Sequence, residues 1–281
     1  MEDYTLTANH IAAFEAYLRR EERAPSSIEK YLRAVGEFAA WLDGGAVTKE
    51  AVLSWKASLL AGGLSPATVN GKLSALNGLF RCLGWERCRV KFLRLQRRVF
   101  RERNRELTRE EYMRLLEAAR ASGRGRLALL MESMCSTGIR VSEVRYLTVE
   151  AARGGQAQVI LKGKVRTILL PGKLCRKLLR YAAGRKIASG EIFLTGGGRS
   201  LSRKQIWREM KSLCGAAGVE PGKVFPHNLR HLFAACFYRV CRDVVKLADL
   251  LGHSSVETTR IYLLSSGAEH ARYLERLRLI S

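Results

Sequence analysis

The chain has 281 residues, 47% of them hydrophobic, which gives material for one large domain or two ordinary ones and excludes wholesale disorder. Its 49 Lys and Arg against 26 Asp and Glu leave a formal charge of +23, a field that attracts polyanions, nucleic acid above all. The N-terminus MEDYTLTANH lacks the basic and apolar regions of a signal peptide, and no apolar run approaches the roughly 20 residues of a spanning helix. Charge alone also suits a ribosomal or merely basic protein, so it selects the partner class and not the chemistry.

The first hundred residues read as short helices. Ile11, Phe14, Tyr17 and Leu18 line one face between His10 and Arg19. Pro25-Ser26-Ser27 opens a second helix with Ile28, Tyr31, Leu32, Val35, Phe38 and Ala39 on its apolar side. Thr48 caps a third, with Val52, Trp55 and Leu59 inward. Ser65-Pro66, a cap followed by proline at the first helical position, starts a fourth that ends near Gly84. These predict a small all-α domain over residues 1–90.

Residues 91–106 are dense in arginine and poor in core positions, which predicts a basic linker; Arg97, Arg98 and Arg101 are its candidate DNA-phosphate contacts. A second domain, 107–281, begins at Leu107-Thr108, a threonine cap with Glu110 and Glu111 in the first turn. Helices follow, then a β-hairpin over Gln158–Leu170 around the turn Lys162-Gly163-Lys164, then helices again. The expected fold is therefore mainly α with a small β-hairpin, in two domains. Seven scattered cysteines without a CxxC pair read as free thiols of a reducing, cytoplasmic compartment, and no metal or other cofactor is expected.

Four separated segments hold the residues capable of chemistry: Ser136-Thr137-Gly138-Ile139-Arg140-Val141-Ser142-Glu143, the hairpin Leu161-Lys162-Gly163-Lys164, His227-Asn228-Leu229-Arg230-His231, and Leu251-Gly252-His253 with Thr258-Thr259-Arg260-Ile261-Tyr262. Two arginines can hold the non-bridging oxygens of one phosphate by charge-assisted hydrogen bonds. A lysine can protonate a leaving alkoxide, and a histidine can act as acid, base or donor. A tyrosine hydroxyl can attack phosphorus if its proton is taken and the developing charge is stabilised. Together they contain the parts of a metal-free phosphoryl transfer, although each residue alone has an ordinary structural reading.

TGIRVSEV, HNLRH and LGHSSVETTRIY resemble the three boxes of the tyrosine recombinases, in particular the Xer and integrase branch. Arg230 precedes His253 by 23 residues and His253 precedes Tyr262 by nine, the spacings of Xer-type enzymes. The resemblance extends to SPATVNGKLSALNGLFRCLGW, similar to the last helix of the family's core-binding domain, and to LTREEYMRLLEAA, similar to the start of its catalytic domain.

What the resemblance implies is specific. Arg140 and Arg230 bind the scissile phosphate, His253 donates to it, His227 acts as general base, Tyr262 is the nucleophile, and Glu143 orients its neighbours. Lys162 is the general acid for the 5′-oxygen. The turn here is one residue shorter than the family's usual form, so Lys164 stays an alternative; Lys162 is favoured because it directly precedes Gly163. His231 reads as packing.

The partner implied is double-stranded DNA at core recombination sites, bound by a homo-tetramer or together with a related recombinase subunit. The tail, with Tyr273, Leu274, Leu277 and Ile280 at helical spacing, would dock on a neighbouring protomer; packing on its own domain is the alternative. The activity implied is strand cleavage and rejoining through a 3′-phosphotyrosine and a Holliday junction, in integration, excision or dimer resolution. A type IB topoisomerase shares the catalytic set, but the helical first domain and the tail argue against it. An inactive DNA-binding accessory protein is disfavoured because the whole set is intact.

Overall fold

Proline and threonine punctuation sets the helices of the N-terminal unit. In a computed structural model that describes residues 4–95, 105–161, 164–253 and 255–260, the chain divides into two compact units, Met1–Arg97 and Arg98–Ser281. In the first, α1 (Ala8–Arg20) starts at Thr7, whose side chain accepts from the His10 amide, and α2 (Pro25–Leu42) starts with proline at its first position. Thr48 caps α3 (Lys49–Ala61), and Ser65 caps α4 (Pro66–Leu83), which Gly84 ends in the left-handed region at φ +74°. Each such cap contributes about 1 kcal/mol to its helix.

The apolar faces converge on Phe14, Val35, Phe38, Trp55, Leu73, Leu76 and Phe80, all buried. One feature departs from the all-α expectation for this unit. Tyr4–Thr5 (β1) pairs antiparallel with Ala46–Val47 (β2), and the Tyr4 ring stacks on Trp85 at 4.6 Å. The pairing gives the backbone groups before α1 and before α3 partners they would otherwise lack. The start of the expected linker also lies against this unit: the Asn70 side chain exchanges hydrogen bonds with both the amide and the carbonyl of Leu93, and Asn77 does the same with Val90. Arg97, Arg98 and Arg101 lie outside the described residues.

The second unit opens on α5 (Arg109–Ala121), held by a capping box in which Thr108 accepts from the Glu111 amide and Glu111 accepts from the Thr108 amide. α6 (Gly125–Thr137) runs through the centre, with Leu127, Leu130 and Met131 buried, and a 3-10 turn (Val141–Tyr146) and α7 (Val149–Gly154) follow. β3 (Gln156–Leu161) and β4 (Lys164–Leu169) form the predicted hairpin. Its strands pair up to Leu161↔Lys164, so Lys164 opens the second strand rather than sitting in the turn. A two-residue connection suits the right-handed twist of paired strands better than a three-residue one.

Next come α8 (Gly172–Gly184), α9 (Arg203–Lys211), the short α10 (Cys214–Ala217), α11 (Pro226–Cys241), α12 (Val244–Leu251) and α13 (Val256–Arg260). Among the described residues no helix is long and apolar enough to cross a membrane. The chain is thus mainly helical with small two-stranded sheets; the helices and the β3–β4 hairpin follow the patterning, and the β1–β2 pair adds to it.

Candidate active site

The site assembles around the C-terminal end of α12. Gly252 ends this helix at φ +63°, turning the chain so that His253 follows at once. The carbonyls of Leu250, Leu251 and Gly252 then point out unpaired by the helix, at the negative end of its dipole. Three arginines from different parts of the unit occupy them.

Arg230 comes from the second turn of α11, whose N-terminus is pinned by the Asn228 side-chain Nδ2 donating to the carbonyls of Arg105 and Lys223, both at 2.7 Å. Although charged, Arg230 is only 1% exposed. Its Nη1 donates to the Gly138 carbonyl at 2.5 Å and its Nη2 to the Leu251 carbonyl at 2.7 Å. The same Nη2 lies 2.9 Å from His253 Nε2.

Arg140 follows α6, and Gly138 makes the turn that delivers it. This glycine sits at φ +63°, and a Cβ there would come within 2.5 Å of the Phe233 ring. After the turn Arg140 is extended, and its Nη1 donates to Glu143 Oε1 at 2.8 Å while its amide donates to Glu143 Oε2 at 2.9 Å. Arg140 Nη2 reaches the Gly252 carbonyl at 3.3 Å. Glu143 is 1% exposed, so its carboxylate is a buried anion matched by cations on both sides.

The second cation is Arg166, on β4. Its Nη2 donates to Glu143 Oε2 at 2.6 Å, and its Nη1 donates to the carbonyls of Leu250 and Leu251. Burial holds the Arg166 guanidinium down to about 10, against the pull of Glu143 and with the repulsion of Arg230 and Arg140, which still leaves it charged at neutral pH.

His253 ties these to α13. Its Nδ1 lies 2.8 Å from the hydroxyl of Thr259, which is fully buried. A guanidinium has no acceptor, so Arg230 must donate to Nε2, and the imidazole proton sits on Nδ1 and points at Thr259. Burial, with the charges of Arg230, Arg140 and Arg166 adding to it, lowers the His253 pKa to about 4. The ring is therefore neutral at pH 7. His227, exposed in the first turn of α11, packs edge-on against His231 at 4.5 Å.

The structure thus brings Arg140, Glu143, Arg230 and His253 together from three separate segments, with His227 in the first turn of the Arg230 helix. Lys162 and Tyr262 lie outside the described residues. Arg166, Thr259 and Gly252 are the members that sequence reasoning did not single out. One signal was available for the first: Arg166 shares its strand face with Ile168 and, just past the end of β4, with Leu170, both buried, which puts a charge on the inward side.

Comparison with known proteins gives this arrangement a family. Residues 105–269 match the model described as the phage integrase family, and residues 11–87 match that of the phage integrase N-terminal SAM-like domain. The chain belongs to the phage integrase family, as a tyrosine recombinase of Xer type. It is 31% identical to tyrosine recombinase XerA of Pyrococcus furiosus, with 99% of each chain covered. It is 30% identical to XerA of Thermococcus kodakarensis over 95% of this chain and 96% of that one. In fold it is similar to a lambda integrase tetramer bound to a Holliday junction, at TM-score 0.74 and 19% identity, over 93% of this chain and 78% of that one. The family is a class of enzymes that cleave DNA and transfer its strands.

Proposed function

We propose that this recombinase cleaves one DNA strand at a core site by attack of the Tyr262 hydroxyl on the scissile phosphate. The Tyr262–phosphorus bond forms, the bond from phosphorus to the 5′-oxygen breaks, and the products are a 3′-phosphotyrosine and a 5′-hydroxyl. Attack by the 5′-hydroxyl of a partner strand reverses the step and releases the tyrosine. The energy of the broken phosphodiester is kept in the phosphotyrosine, so exchange needs no nucleotide.

The observation that carries this reading is the convergence of Arg140, Arg230 and His253 at one helix end. Two guanidiniums held in place by carbonyls and a carboxylate are pre-organised to receive the non-bridging oxygens of a phosphate, whose charge grows as the tyrosine attacks. His227 is the base toward Tyr262. His253 becomes a donor to the phosphate when Nε2 is protonated, which an adjacent phosphate charge favours. Lys162 delivers the proton to the leaving 5′-oxygen.

The helical unit 1–90 and the basic segment 91–106 would grip the duplex, with Arg97, Arg98 and Arg101 on phosphates. Within a tetramer on two DNA sites, built from this chain or with a related subunit, the tail bearing Leu274 and Leu277 would seat on a neighbour. The setting is cytoplasmic DNA. In the test, Tyr262→Phe is incubated with nicked duplexes that trap the covalent intermediate. The variant should bind DNA as the wild type does and give no adduct on denaturing gels; a normal adduct yield removes Tyr262 as nucleophile.

A further inference from the structure

Arg166 bonds to the carboxylate that holds Arg140 and to the carbonyl that holds Arg230. It is carried by the hairpin, directly opposite Val159 in the strand register and four residues after Lys162. Its Nη2 shares the Glu143 carboxylate with Arg140, taking Oε2 at 2.6 Å while Arg140 takes Oε1 at 2.8 Å. Its Nη1 shares the Leu251 carbonyl with Arg230. One side chain thereby fastens β4 to the supports of both phosphate-binding arginines.

The fastening is tight and has been built at a cost. The Arg166 side chain is 13% exposed, and its Nε is buried with no hydrogen-bond partner among the described residues. A buried donor left unpaired is unfavourable, and the two ends of the guanidinium outweigh it. Gly252 leaves the space that the stem needs: a Cβ at this position would meet Arg166 Cδ and would stand 2.9 Å from Nη1. A second tie acts at the other strand, where the Tyr146 hydroxyl donates to the Ile160 carbonyl at 2.8 Å. Without such ties a two-stranded hairpin is marginal, and the reach of a lysine at its tip is undefined.

We infer that Arg166 is a positioning residue for the hairpin lysine: through Glu143 and the Leu251 carbonyl it fixes the hairpin relative to Arg140 and Arg230, and so sets the lysine within reach of the leaving 5′-oxygen of the phosphate they hold. This rests on the reading of the hairpin lysine as general acid. A lysine could not replace the arginine, because one ammonium offers no planar fork to span a carboxylate and a carbonyl at once.

The test compares single-turnover cleavage of an ordinary phosphodiester with that of a 5′-bridging phosphorothiolate, whose thiolate leaves without a proton. Arg166→Met, which keeps the length of the stem, and Arg166→Lys are set beside Lys162→Ala, Lys164→Ala and the wild type. Arg166→Met should slow cleavage of the ordinary substrate on the order of 100-fold, the low end of a general acid's contribution, and recover most of that loss on the phosphorothiolate. Arg166→Lys should show a smaller defect with the same recovery. If the Met variant does not fold, the Lys variant decides by the same ratio.

An equal defect on both substrates would overturn the inference, since loss of fold or of phosphate contact is not relieved by a better leaving group. Normal cleavage would overturn it too. If neither lysine variant is rescued, the general-acid reading itself falls and takes the positioning role with it; rescue of a lysine variant without rescue of Arg166→Met removes only the positioning role.

Discussion

Arg230 Nη2 stands 2.9 Å from His253 Nε2, and because guanidinium can only donate, this contact makes the imidazole an acceptor. A protonated His253 would turn that hydrogen bond into a repulsion between two cations. Burial and the nearby arginines hold its pKa at about 4, below the ordinary 6.5.

The consequence for stability has a definite sign. As pH falls below 6.5 the unfolded chain takes up a proton at His253 and the folded chain does not, so the folded state loses ground until pH reaches about 4. The melting-temperature advantage of wild type over His253→Gln should therefore shrink from pH 7 to pH 4. An advantage constant over that range would mean that His253 titrates alike in both states.

Glu143 is the next point of stress. Its buried carboxylate compensates Arg166, itself largely buried, and the more exposed Arg140. Removing one member of such a buried set costs about 3–5 kcal/mol, because the partners stay buried without compensation. Urea denaturation of Glu143→Ala should show a loss near the low end, given the exposure of Arg140, and Glu143→Gln should lose less because one acceptor remains. Stability within 0.5 kcal/mol or so of wild type would contradict the buried-ion account.

Gly138 joins the first box to the second, since its carbonyl accepts from Arg230. A side chain there costs about 1–2 kcal/mol for the left-handed backbone, and its Cβ, 3.1 Å from Leu251 Cδ2 as well as against Phe233, adds overpacking of about 1–3 kcal/mol. Gly138→Ala should thus be destabilised by a sum of these, and its cleavage rate should fall even below its melting point, because the Gly138 carbonyl holds Arg230. Wild-type cleavage by Gly138→Ala would show that Arg230 does not depend on this turn.

In the proposed function the arginines of the basic segment act on DNA phosphates without touching the active site. Each phosphate contact releases counterions and contributes about 0.9 to the slope of log affinity against log salt. Neutralising Arg97, Arg98 and Arg101 together should weaken binding to every duplex and flatten that slope by up to about 3. Discrimination between core site and random duplex should persist. A selective loss of core-site binding would assign these residues to base reading instead.

Much of this molecule was legible in the chain because its punctuation is local. Thr48, Ser65-Pro66 and Thr108 mark helix starts by chemistry that acts within three residues, and each cap is found where it was expected. The boxes with Arg140, Arg230 and His253 were legible through their resemblance to the boxes of the tyrosine recombinases. What holds them together was not: the Arg166–Glu143 pair spans 23 residues, and the Arg230–Gly138 contact spans 92. Such contacts depend on how the hairpin and helices pack, and a single sequence carries no record of that packing. The β1–β2 pair escaped for a related reason, since two-residue strands leave too few positions for an alternation to show.

In the proposed reaction Tyr262 delivers its oxygen to a phosphate held by Arg140 and Arg230. The most direct measurement is to trap the covalent complex on a nicked core-site duplex, digest it with protease and nuclease, and locate the nucleotide by mass spectrometry. The expected result, set by attack of Tyr262, is a 3′-phosphonucleotide on the peptide containing Ile261-Tyr262, with a free 5′-hydroxyl on the released strand. A nucleotide on any other residue, or a tyrosine joined to a 5′-phosphate, would contradict it.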